Sequence, residues 1–537
     1  MKVAEAIMQC LHEENVDTVF GYPGATVVPI YEALRKSDIK HILVRQEQAA
    51  GHSASGFARA KKTVGVCIVT SGPGATNLIT AIATAYMDSI PLVIITGQVK
   101  SNLIGKDVFQ EADITGATES FTKHNYLVKS AEDVPRIMKE AFYIASTGRP
   151  GPVLIDIPVD IQCEDIEFFY PKEVNIRGYK PKFEGHKGQI KRAAENIMES
   201  KKPLICVGGG IISGGAEKEL KEFAHKSKIP VVHTLMGKGS INENDPYYVG
   251  LIGTHGFSYA NRAISEADLL ILIGTRAADR AIAGSNFAKD AYVIHIDIDP
   301  AEIGKILGPN IPVVGDSKQV LEELIKEVGE VETIEWLEQI AAWKKEVEEP
   351  IKLNSKVSPK YVLNALSQML EENAIITADV GQNQIWSARN FQVKDSTSFF
   401  TSGGLGTMGY SLPAAVGAKI ANPSKTVIAV VGDGGFQMSM AELGTIVDNN
   451  INIVILLFNN SVLGMVREIQ KNIYGVGRYS GVNFKCQTDF IKIAEAYGLK
   501  GKKIIRNGEF KEAFREAVNS NSTFIIECII DSSESTF

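Results

Sequence analysis

Two polar residues stand directly behind apolar runs, at a spacing that could form a metal site. Asp433 follows the run 426–431 and its glycine, and Asn460 ends the turn after the run 453–458. Both runs read as buried parallel strands because they are continuously apolar and β-branched. A βαβ crossover is right-handed, so the carboxyl ends of both strands reach the same edge of the sheet. We therefore expect Asp433 and Asn460 to be neighbours, although 27 positions (460 − 433) separate them.

This pair offers one carboxylate oxygen and one amide oxygen, and the main-chain carbonyl of Val462 can complete the set. Mg²⁺ suits few hard protein ligands because it fills its octahedron with phosphate oxygens and water. Gly434 and Gly435 would let a diphosphate approach the main chain, and the helix after them would offer its amino end. The alternative is a plain glycine turn and a plain asparagine turn. The two motifs close neighbouring strands, which favours the metal site.

The elements that position this pair belong to a repeated pattern of strand, glycine loop and helix. Between the two strands, the segment 438–447 has helical spacing, and its apolar face contains Met440, Leu443 and Val447. The chain of 537 residues is too long for one core. We predict an α/β fold of three doubly wound parallel-sheet domains at 1–164, 187–330 and 358–530, joined by a mixed linker (165–186) and a charged helical connector (331–357).

The composition is that of an ordinary soluble globular protein. Hydrophobic residues make up 45% and charged residues 22%, and the net charge is −7, which disfavours nucleic acid as a partner. The six cysteines are scattered without a CxxC pair, which predicts free thiols in a reducing compartment. We expect no membrane segment and no leader sequence, and therefore a cytoplasmic protein.

Longer stretches resemble one family. Gly-Asp-Gly followed by Asn-Asn resembles the diphosphate and Mg²⁺ motif of thiamine diphosphate enzymes. SGGLGTMGYSLPAA (402–415) and NNSVLGMVRE (459–468) resemble the acetolactate synthase catalytic subunit, also called acetohydroxyacid synthase. The resemblance extends over nearly the whole chain. It implies the three-domain fold of these enzymes, with thiamine diphosphate and Mg²⁺ as cofactors and Asp433, Asn460 and Val462 as the metal ligands.

The resemblance assigns further cofactor contacts near the end of the chain. Gly381 and Gln382, which follow an apolar run, resemble the loop beside the diphosphate. Gly406 resembles the residue whose main-chain carbonyl meets the 4′-amino group, and Met408 resembles the wedge that keeps the cofactor bent. Taken alone, a glycine after a strand is more often a plain turn and a methionine more often packs in a core. These assignments depend on the matching residues around them.

Glu47 is the candidate catalytic carboxylate. It stands between a predicted strand and a predicted helix, where a carboxylate is usually a solvated cap or an ion-pair partner. Within VRQEQ it resembles the family's buried glutamate, which faces N1′ of the cofactor's aminopyrimidine. A carboxyl group there favours the imino tautomer, which allows the proton on C2 of the thiazolium ring to be removed.

A second stretch of the first domain matches the family at Phe109-Gln110-Glu111. This segment is too polar for a strand and is expected to lie over the site. Gln110 resembles a residue that contacts reaction intermediates, and Phe109 is assigned to the cofactor side, although it could equally be a core aromatic. The family often has a lysine where this chain has Val159, which leaves any role of that lysine in doubt.

The middle of the chain predicts a nucleotide-type domain. Strands within 203–210, 269–276 and 291–300 end near Gly or Asp, which is Rossmann-like although no GxGxxG is present. A doubly wound domain without a ligand is the alternative. GTRAADRA (274–281) resembles the family's FAD-lining stretch, with two alanines in place of Phe and Asp, and Thr254 replaces a usual methionine. The resemblance assigns four residues to FAD: Asp279, Arg280, Asp297 and Asp316.

The implied reaction is decarboxylation of pyruvate and condensation of the two-carbon unit with a second 2-oxo acid, in branched-chain amino acid biosynthesis. Arg276 is the candidate to bind the acceptor carboxylate, because a guanidinium group can do so bidentately. FAD would have no required redox step. A pyruvate oxidase or 2-oxo acid decarboxylase is the nearest alternative, and GMVRE and FQE disfavour it. A nucleotide-binding regulatory protein is disfavoured because Glu47, Asp433 and Asn460 are all present.

The resemblance also implies partners and a product. The family's site lies between the first domain of one chain and the third of another, so a homodimer or homotetramer is expected. A small regulatory subunit is a further expected partner. Ile469 stands where relatives that prefer 2-oxobutyrate have a tryptophan. We therefore expect acetolactate to be the main product.

Overall fold

Three parallel sheets, each covered by helices, make up the protein. The structure is a computed structural model, and it describes residues 1–282, 287–347, 356–370, 373–394 and 398–536. Each sheet has six strands, and every strand pairing described within the sheets is parallel. The predicted α/β class with three parallel-sheet domains is confirmed.

The first sheet lies within residues 18–158, in the order β2-β1-β3-β4-β6-β5. Its strands are β1 Thr18–Tyr22, β2 Lys40–Leu43, β3 Gly65–Val69, β4 Leu92–Gln98, β5 His124–Leu127 and β6 Pro152–Pro158. The helices of this domain are α1 Val3–Glu13, α2 Val28–Lys36, α3 Glu47–Lys61, α4 Pro73–Asn77, α5 Ile79–Asp88, α6 Ile114–Thr118, α7 Val134–Ser146 and α8 Val159–Gln162. Short 3₁₀ turns are Ala25–Val27, Ser101–Leu103, Glu119–Phe121 and Ala131–Asp133.

The second sheet forms the central domain, in the order β12-β11-β10-β7-β8-β9. Its strands are β7 Pro203–Val207, β8 Val231–His233, β9 Tyr248–Leu251, β10 Leu269–Ile273, β11 Tyr292–Asp297 and β12 Ile311–Val314. Its helices are α9 Lys187–Glu199, α10 Gly209–Ser213, α11 Glu217–Ser227, α12 Ser258–Glu266, α13 Ser317–Glu327 and α14 Ile334–Glu346, with a 3₁₀ turn at Leu235–Gly237. Helix α14, in the predicted connector, packs Trp336, Ile340 and Trp343 into this domain's core.

The third sheet has the order β14-β13-β15-β16-β18-β17. Its strands are β13 Ala374–Ala378, β14 Ser398–Thr401, β15 Thr426–Gly432, β16 Val454–Asn459, β17 Lys500–Ile504 and β18 Phe524–Ile529. Its helices are α15 Pro359–Met369, α16 Gln382–Asn390, α17 Ser411–Ala421, α18 Asp433–Ser439, α19 Leu443–Asp448, α20 Gly464–Tyr474, α21 Phe490–Ala496 and α22 Phe510–Asn519, with 3₁₀ turns at Met440–Glu442 and Asn507–Glu509.

The sheets are doubly wound because alternate residues of each central strand face different cores. In β15, Ile428 and Val430 pack in one core, and Val427, Ala429 and Val431 pack in the core on the opposite face. Strand residues alternate across a sheet, so a strand buried on both faces has to be continuously apolar. This is the pattern that identified the strand in the sequence.

The prediction of the helix after β15 is wrong about where the helix starts and about its being continuous. It begins at Asp433 rather than at 438, and it is interrupted by the 3₁₀ turn before α19. Val447, expected on the packed face, has 40% of its surface exposed. Gly434 and Gly435 adopt helical backbone, so the glycines form the first turn of α18 rather than a loop before it.

All six cysteines are free thiols, as predicted, and four of them are buried. In the part of the chain that the structure describes, no helix is long and apolar enough to cross a membrane.

Helix α3 of the first domain packs very closely on α17 of the third. A Cβ atom added at Gly417 would lie 1.8 Å from the carbonyl oxygen of Ser53, and one added at Gly56 would lie 2.0 Å from that of Ala414. Such short distances leave no room for a side chain, so both positions require glycine. Arg59 adds a hydrogen bond of 2.9 Å to the carbonyl of Thr401.

We expect Gly417→Ala to lower the thermal unfolding midpoint, because a methyl group there forces the two helices apart. Overpacking of this kind costs about 1–3 kcal/mol. Differential scanning calorimetry measures the shift, with Gly508→Ala as the control because a Cβ there meets nothing within 4 Å. An equal midpoint for both variants would contradict the account of this contact.

Candidate active site

Asp433 and Asn460 lie at the carboxyl edge of the third sheet. Strands β15 and β16 are parallel neighbours, and Gly432 pairs with Phe458 in their register. Asp433 begins α18 and has 4% of its surface exposed. Burial raises the pKa of its carboxyl group to about 7, although the main-chain N–H groups of Gly434 and Ser461 donate to it. A buried carboxylate of this kind favours a cation nearby.

An open cleft lies over this edge. Its lining comprises Val380, Gly381, Gln382, Asn383, Trp386, Met408, Gly432, Asp433, Gly434, Gly435, Phe458, Asn460, Val462, Leu463, Gly464, Met465 and Val466. The cleft thus contains all but one of the C-terminal residues that the sequence assigned to the cofactor or the metal. The exception is Gly406, which is exposed in the loop before Met408.

The donor set of the cleft fits a magnesium diphosphate. In the described residues, no cluster of three or more His, Cys, Asp or Glu could hold a metal ion. The cleft instead combines one carboxylate, one amide oxygen and main-chain carbonyls, which is the sparse oxygen set that Mg²⁺ uses with phosphate. Gly381 has a φ of +135°, a conformation that favours glycine at the amino end of α16.

Gln382 joins the polar groups around the cleft. It is buried, and its Oε1 accepts a hydrogen bond of 3.1 Å from Nδ2 of Asn460. Its Nε2 donates to Glu468 Oε2 at 3.1 Å and to the carbonyl of Glu534 at 2.9 Å. A Cβ added at Gly464 would lie 1.8 Å from Oε1 of Gln382, so a side chain there would displace this amide. This network fixes the amide of Asn460 beside the cleft.

The loop that contains Gly406 and Met408 is held by the first domain. Thr84 and Thr407 share a hydroxyl hydrogen bond of 2.7 Å, and Asp88 accepts one of 2.7 Å from the N–H of Gly404. Gly406 has a φ of +76°, and Met408 reaches into the cleft. The position of this loop therefore depends on the contact between the two domains.

Glu47 lies in the first domain, at the start of α3, as the sequence indicates. It is partly buried, and its Oε2 accepts a hydrogen bond of 2.9 Å from Nδ2 of Asn77. The glycine loop before α4 lies beside it, because a Cβ at Gly74 would be 3.4 Å from Oε1 of Glu47. The family's glutamate is expected to be buried, so Glu47 is more exposed in the single chain than the resemblance implies.

Gln110 lies against the same glycine loop. A Cβ at Gly72 would be 2.9 Å from the carbonyl oxygen of Gln110, whose own φ is +58°. The segment around Gln110 is not a strand, as expected, and Phe109 has 86% of its surface exposed. The structure therefore brings Glu47 and Gln110 together on the first domain, but neither of them lines the Asp433 cleft of the same chain.

The central domain holds the remaining candidates around the ends of β10 and β11. Arg276 is partly buried, and its pKa is lowered by burial and by Arg149, while Asp88, Glu302 and Asp297 oppose this effect. Asp297 is buried at the end of β11, and burial raises its pKa to about 6.

Three other FAD candidates are less enclosed. Asp279 and Arg280 form an exposed ion pair of 3.8 Å. Asp316 caps α13, because its Oδ1 accepts hydrogen bonds of 3.1 Å from the N–H groups of Lys318 and Gln319. That capping role has a sequence signal, which is a lone Asp before an apolar helical pattern.

Comparison with known proteins gives three matches to family models, in the order of the three sheets. They are the thiamine pyrophosphate enzyme N-terminal TPP binding domain at 1–117, the central domain at 190–324 and the C-terminal TPP binding domain at 379–528. The probable acetolactate synthase large subunit of Methanocaldococcus jannaschii is 48% identical, covering 99% of this chain and 93% of that protein. The acetolactate synthase isozyme 3 large subunit of Escherichia coli is 42% identical, covering 99% and 96%.

This chain belongs to the acetolactate synthase large-subunit family.

A third member, the acetolactate synthase large subunit of Corynebacterium glutamicum, is 44% identical to this chain. The match covers 98% of this chain and 86% of that protein. Membership of the family accounts for the two polar clusters, because its domain models at the two ends of the chain are both TPP binding domains. The cluster around Glu47 lies in the first of these domains and the Asp433 cleft lies in the second.

Two residues beside the site escaped the sequence reasoning. Asn77 donates a hydrogen bond to Glu47. The sequence shows it only as a polar residue on the helix after SGPGAT. Asp379 is fully buried after β13 and accepts hydrogen bonds of 2.9 and 3.1 Å from the N–H of Gly409. Its position at a strand end resembles that of Asp433, and it supports the loop of Met408.

We expect Asp433→Ala to weaken Mg²⁺-dependent binding of thiamine diphosphate by at least about 100-fold, since even residues behind metal ligands change affinity by about 10–100-fold. Trp386 lines the cleft, so its fluorescence can report binding. Asp38→Ala is the control, because that carboxylate is exposed and pairs with His12. Equal binding by both variants would remove Asp433 from the site.

Proposed function

We propose that this chain is the catalytic subunit of an acetolactate synthase. It would decarboxylate pyruvate and join the two-carbon unit to pyruvate or 2-oxobutyrate. One observation carries the proposal: a single chain, similar along 99% of its length to acetolactate synthase large subunits, contains the Glu47 cluster as well as the Asp433 cleft. An enzyme of this type needs both. The assay is acetolactate formation from pyruvate with thiamine diphosphate and Mg²⁺. Acetate or acetaldehyde as the product would favour the oxidase or decarboxylase alternative.

In this proposal the Asp433 cleft binds Mg²⁺ and the diphosphate. Asp433, the amide oxygen of Asn460 and the carbonyl of Val462 would hold the metal. The backbone around Gly381, Gly434 and Gly435 would approach the phosphates. Asn460 Oδ1 accepts from the N–H of Val462 at 3.3 Å, and Nδ2 points to Gln382, so its oxygen faces away from Gln382. When bound, thiamine diphosphate supplies the carbanion chemistry that side chains lack.

Glu47 is proposed to act on the aminopyrimidine. Asn77 donates to Oε2, which leaves Oε1 beside Gly74 as the oxygen available to a ring nitrogen. Gly74 keeps this approach open, because a side chain there would lie against Oε1. A carboxyl group that shares a proton with the ring nitrogen is what removal of the C2 proton requires.

The two halves of the site point to a second copy of the chain. Neither Glu47 nor Gln110 lines the cleft of its own chain, and exposed apolar side chains flank both halves. Phe109 is exposed on one half, and α20 beside the cleft exposes the following side chains: Val466, Ile469, Ile473 and Tyr474. Apolar surface of this kind favours an interface. We propose an isologous homodimer in which each chain completes the other's site, with a homotetramer built from such dimers as the larger alternative.

Two further assignments rest on the family. The relatives are named large subunits, so a small regulatory subunit is the proposed partner of this chain. FAD is proposed in the central domain, with Asp297 as its best-placed contact, because a buried carboxylate at a strand end suits ribose hydroxyls. Asp279, Arg280 and Asp316 fit FAD less well in their present contacts. Arg276 is proposed to bind the acceptor carboxylate, and a cytoplasmic location is proposed for the enzyme.

We expect Glu47→Gln to slow hydrogen–deuterium exchange at C2 of bound thiamine diphosphate by about 10²–10⁴-fold, which is the usual contribution of general acid–base assistance. An amide can still hydrogen-bond, so cofactor affinity should stay close to that of the wild type. Glu32→Gln is the control, since that carboxylate pairs with Arg35 on the surface. An unchanged exchange rate would exclude Glu47 from the mechanism.

We expect the purified protein to carry flavin, released on denaturation in about equimolar amount. Absorbance of the released flavin measures it. Asp297→Ala should reduce the bound fraction, whereas Asp290→Ala, just before β11, should not. Protein that contains no flavin and gains no activity on adding FAD would support the alternative of a central domain without a ligand.

We expect acetolactate to be the main product, and Ile469→Trp to shift the product ratio towards acetohydroxybutyrate. Ile469 lies on α20, one turn beyond the cleft residues Met465 and Val466, and 45% of its surface is exposed. An indole covers more of the extra methyl group of 2-oxobutyrate than isoleucine does. One methylene in an apolar pocket changes the preference between two acceptors by about 10-fold. Competition between the two acceptors measures it. An unmoved ratio in the variant would show that Ile469 does not set acceptor choice.

A further inference from the structure

Strand β18 contains a carboxylate that none of the roles above requires. Glu527 is fully buried between the apolar residues Ile526 and Cys528. Burying a carboxylate is costly unless hydrogen bonds and an opposite charge compensate it. Oε1 accepts a hydrogen bond of 2.8 Å from Nδ2 of Asn459, and Oε2 lies 3.3 Å from Nζ of Lys503. One of its two partners, Asn459, therefore directly precedes Asn460 in the chain.

Glu527 determines the orientation of the Asn459 amide. An ionised carboxylate can only accept hydrogen bonds, so the amide has to turn its NH₂ group towards Glu527 and its oxygen the other way. That oxygen accepts hydrogen bonds from the main-chain N–H of Ser461 at 3.1 Å and from its hydroxyl at 3.3 Å. The carboxylate is thus connected to the turn after β16 through one side chain.

Ser461 is the residue in that turn with an unfavourable backbone. Its φ is +57°, in the left-handed region that non-glycine residues enter only when their surroundings hold them there. Ser461 separates Asn460 from Val462, so its conformation decides where the amide of the first and the carbonyl of the second are placed.

We propose that Glu527 is a positioning residue for the magnesium site. It orients Asn459, Asn459 holds Ser461 in its left-handed conformation, and Ser461 places Asn460 and Val462 at the cleft. The inference rests on the proposed function, because it assumes that these two residues and Asp433 bind Mg²⁺ there. Glu527 touches neither the metal nor the substrate.

The test measures the Mg²⁺ concentration needed for half-maximal binding of thiamine diphosphate, by calorimetry on the full chain. We expect Glu527→Ala to raise it by about 10–100-fold, as residues behind metal ligands do. Glu527→Gln should raise it less, because an amide oxygen can still accept from Asn459. Glu516→Ala is the matched control: its carboxylate pairs with Lys502, which neighbours Lys503, but on the surface. It should leave the requirement unchanged.

Two further variants separate positioning from general damage to the sheet. Asn459→Ala breaks the same connection from the other end, so it should reproduce the shift even where Glu527→Ala fails to fold. Ser461→Gly, added to either variant, should recover much of the lost Mg²⁺ sensitivity, because glycine adopts the left-handed conformation without support.

The possible results distinguish a failure of this inference from a failure of the proposed function. An unchanged Mg²⁺ requirement in folded Glu527→Ala or in Asn459→Ala, with normal wild-type binding, would overturn the inference and leave the proposed function intact. A loss that Ser461→Gly fails to recover would also overturn it. Wild-type protein that binds thiamine diphosphate without needing Mg²⁺ would instead contradict the proposed magnesium site itself.

Discussion

The close contact between α3 and α17 is the constraint on which the arrangement of the site depends. Main-chain atoms approach at Gly56 and Gly417 without room for a methyl group, so the two helices cannot slide past each other. Glu47 begins α3, and the loop of Gly406 and Met408 leads into α17. The contact therefore fixes where Glu47 lies relative to the C-terminal domain of its own chain. Glu47 does not line the cleft of its own chain, which is why we propose that a second chain supplies its partner.

The other half of the site depends on a buried charge. Asp433 lies at the end of a strand that is apolar on both faces, and burial raises the pKa of its carboxyl group to about 7. The main-chain N–H groups beside it do not compensate for the lost water. A divalent cation would, and the neighbouring amide and carbonyl oxygens suit Mg²⁺. The same edge position that makes the carboxylate costly also suits it to be a ligand, because parallel strands open their carboxyl ends to bound molecules.

Much of this fold could be predicted from the sequence, because buried parallel strands are continuous apolar runs and most of the central strands were of this kind. The edge strands were harder to predict. Strand β17 consists of Lys500–Ile504, which is mostly polar, and β5 begins with an exposed histidine. Their pairing depends on neighbours that are distant in sequence, which local pattern does not show. The start of α18 was missed for a different reason, since glycines that usually end a helix here begin one.

For the site, the sequence predicted which residues gather but not how they are held. Asp433 and Asn460 follow from strand order, Val462 was chosen as a nearby main-chain carbonyl, and all three line one cleft. The roles of Asn459, Glu527 and Asn77 arise from side-chain hydrogen bonds across the fold, and no local motif reports them. The partial exposure of Glu47 was likewise not predicted, because no local motif reports how the rest of the fold covers a side chain.

The most direct test of this account is complementation between two inactive variants. Glu47→Gln and Asp433→Ala chains are purified separately, mixed in equal amounts and allowed to exchange subunits before acetolactate formation is measured. If each site takes Glu47 from one chain and Asp433 from the other, a mixed dimer has one intact site, and activity returns to about one quarter of that of the wild type. If both residues of a site come from the same chain, no mixed dimer has an intact site. A mixture that stays as inactive as its components, although subunits exchange, would contradict the shared site.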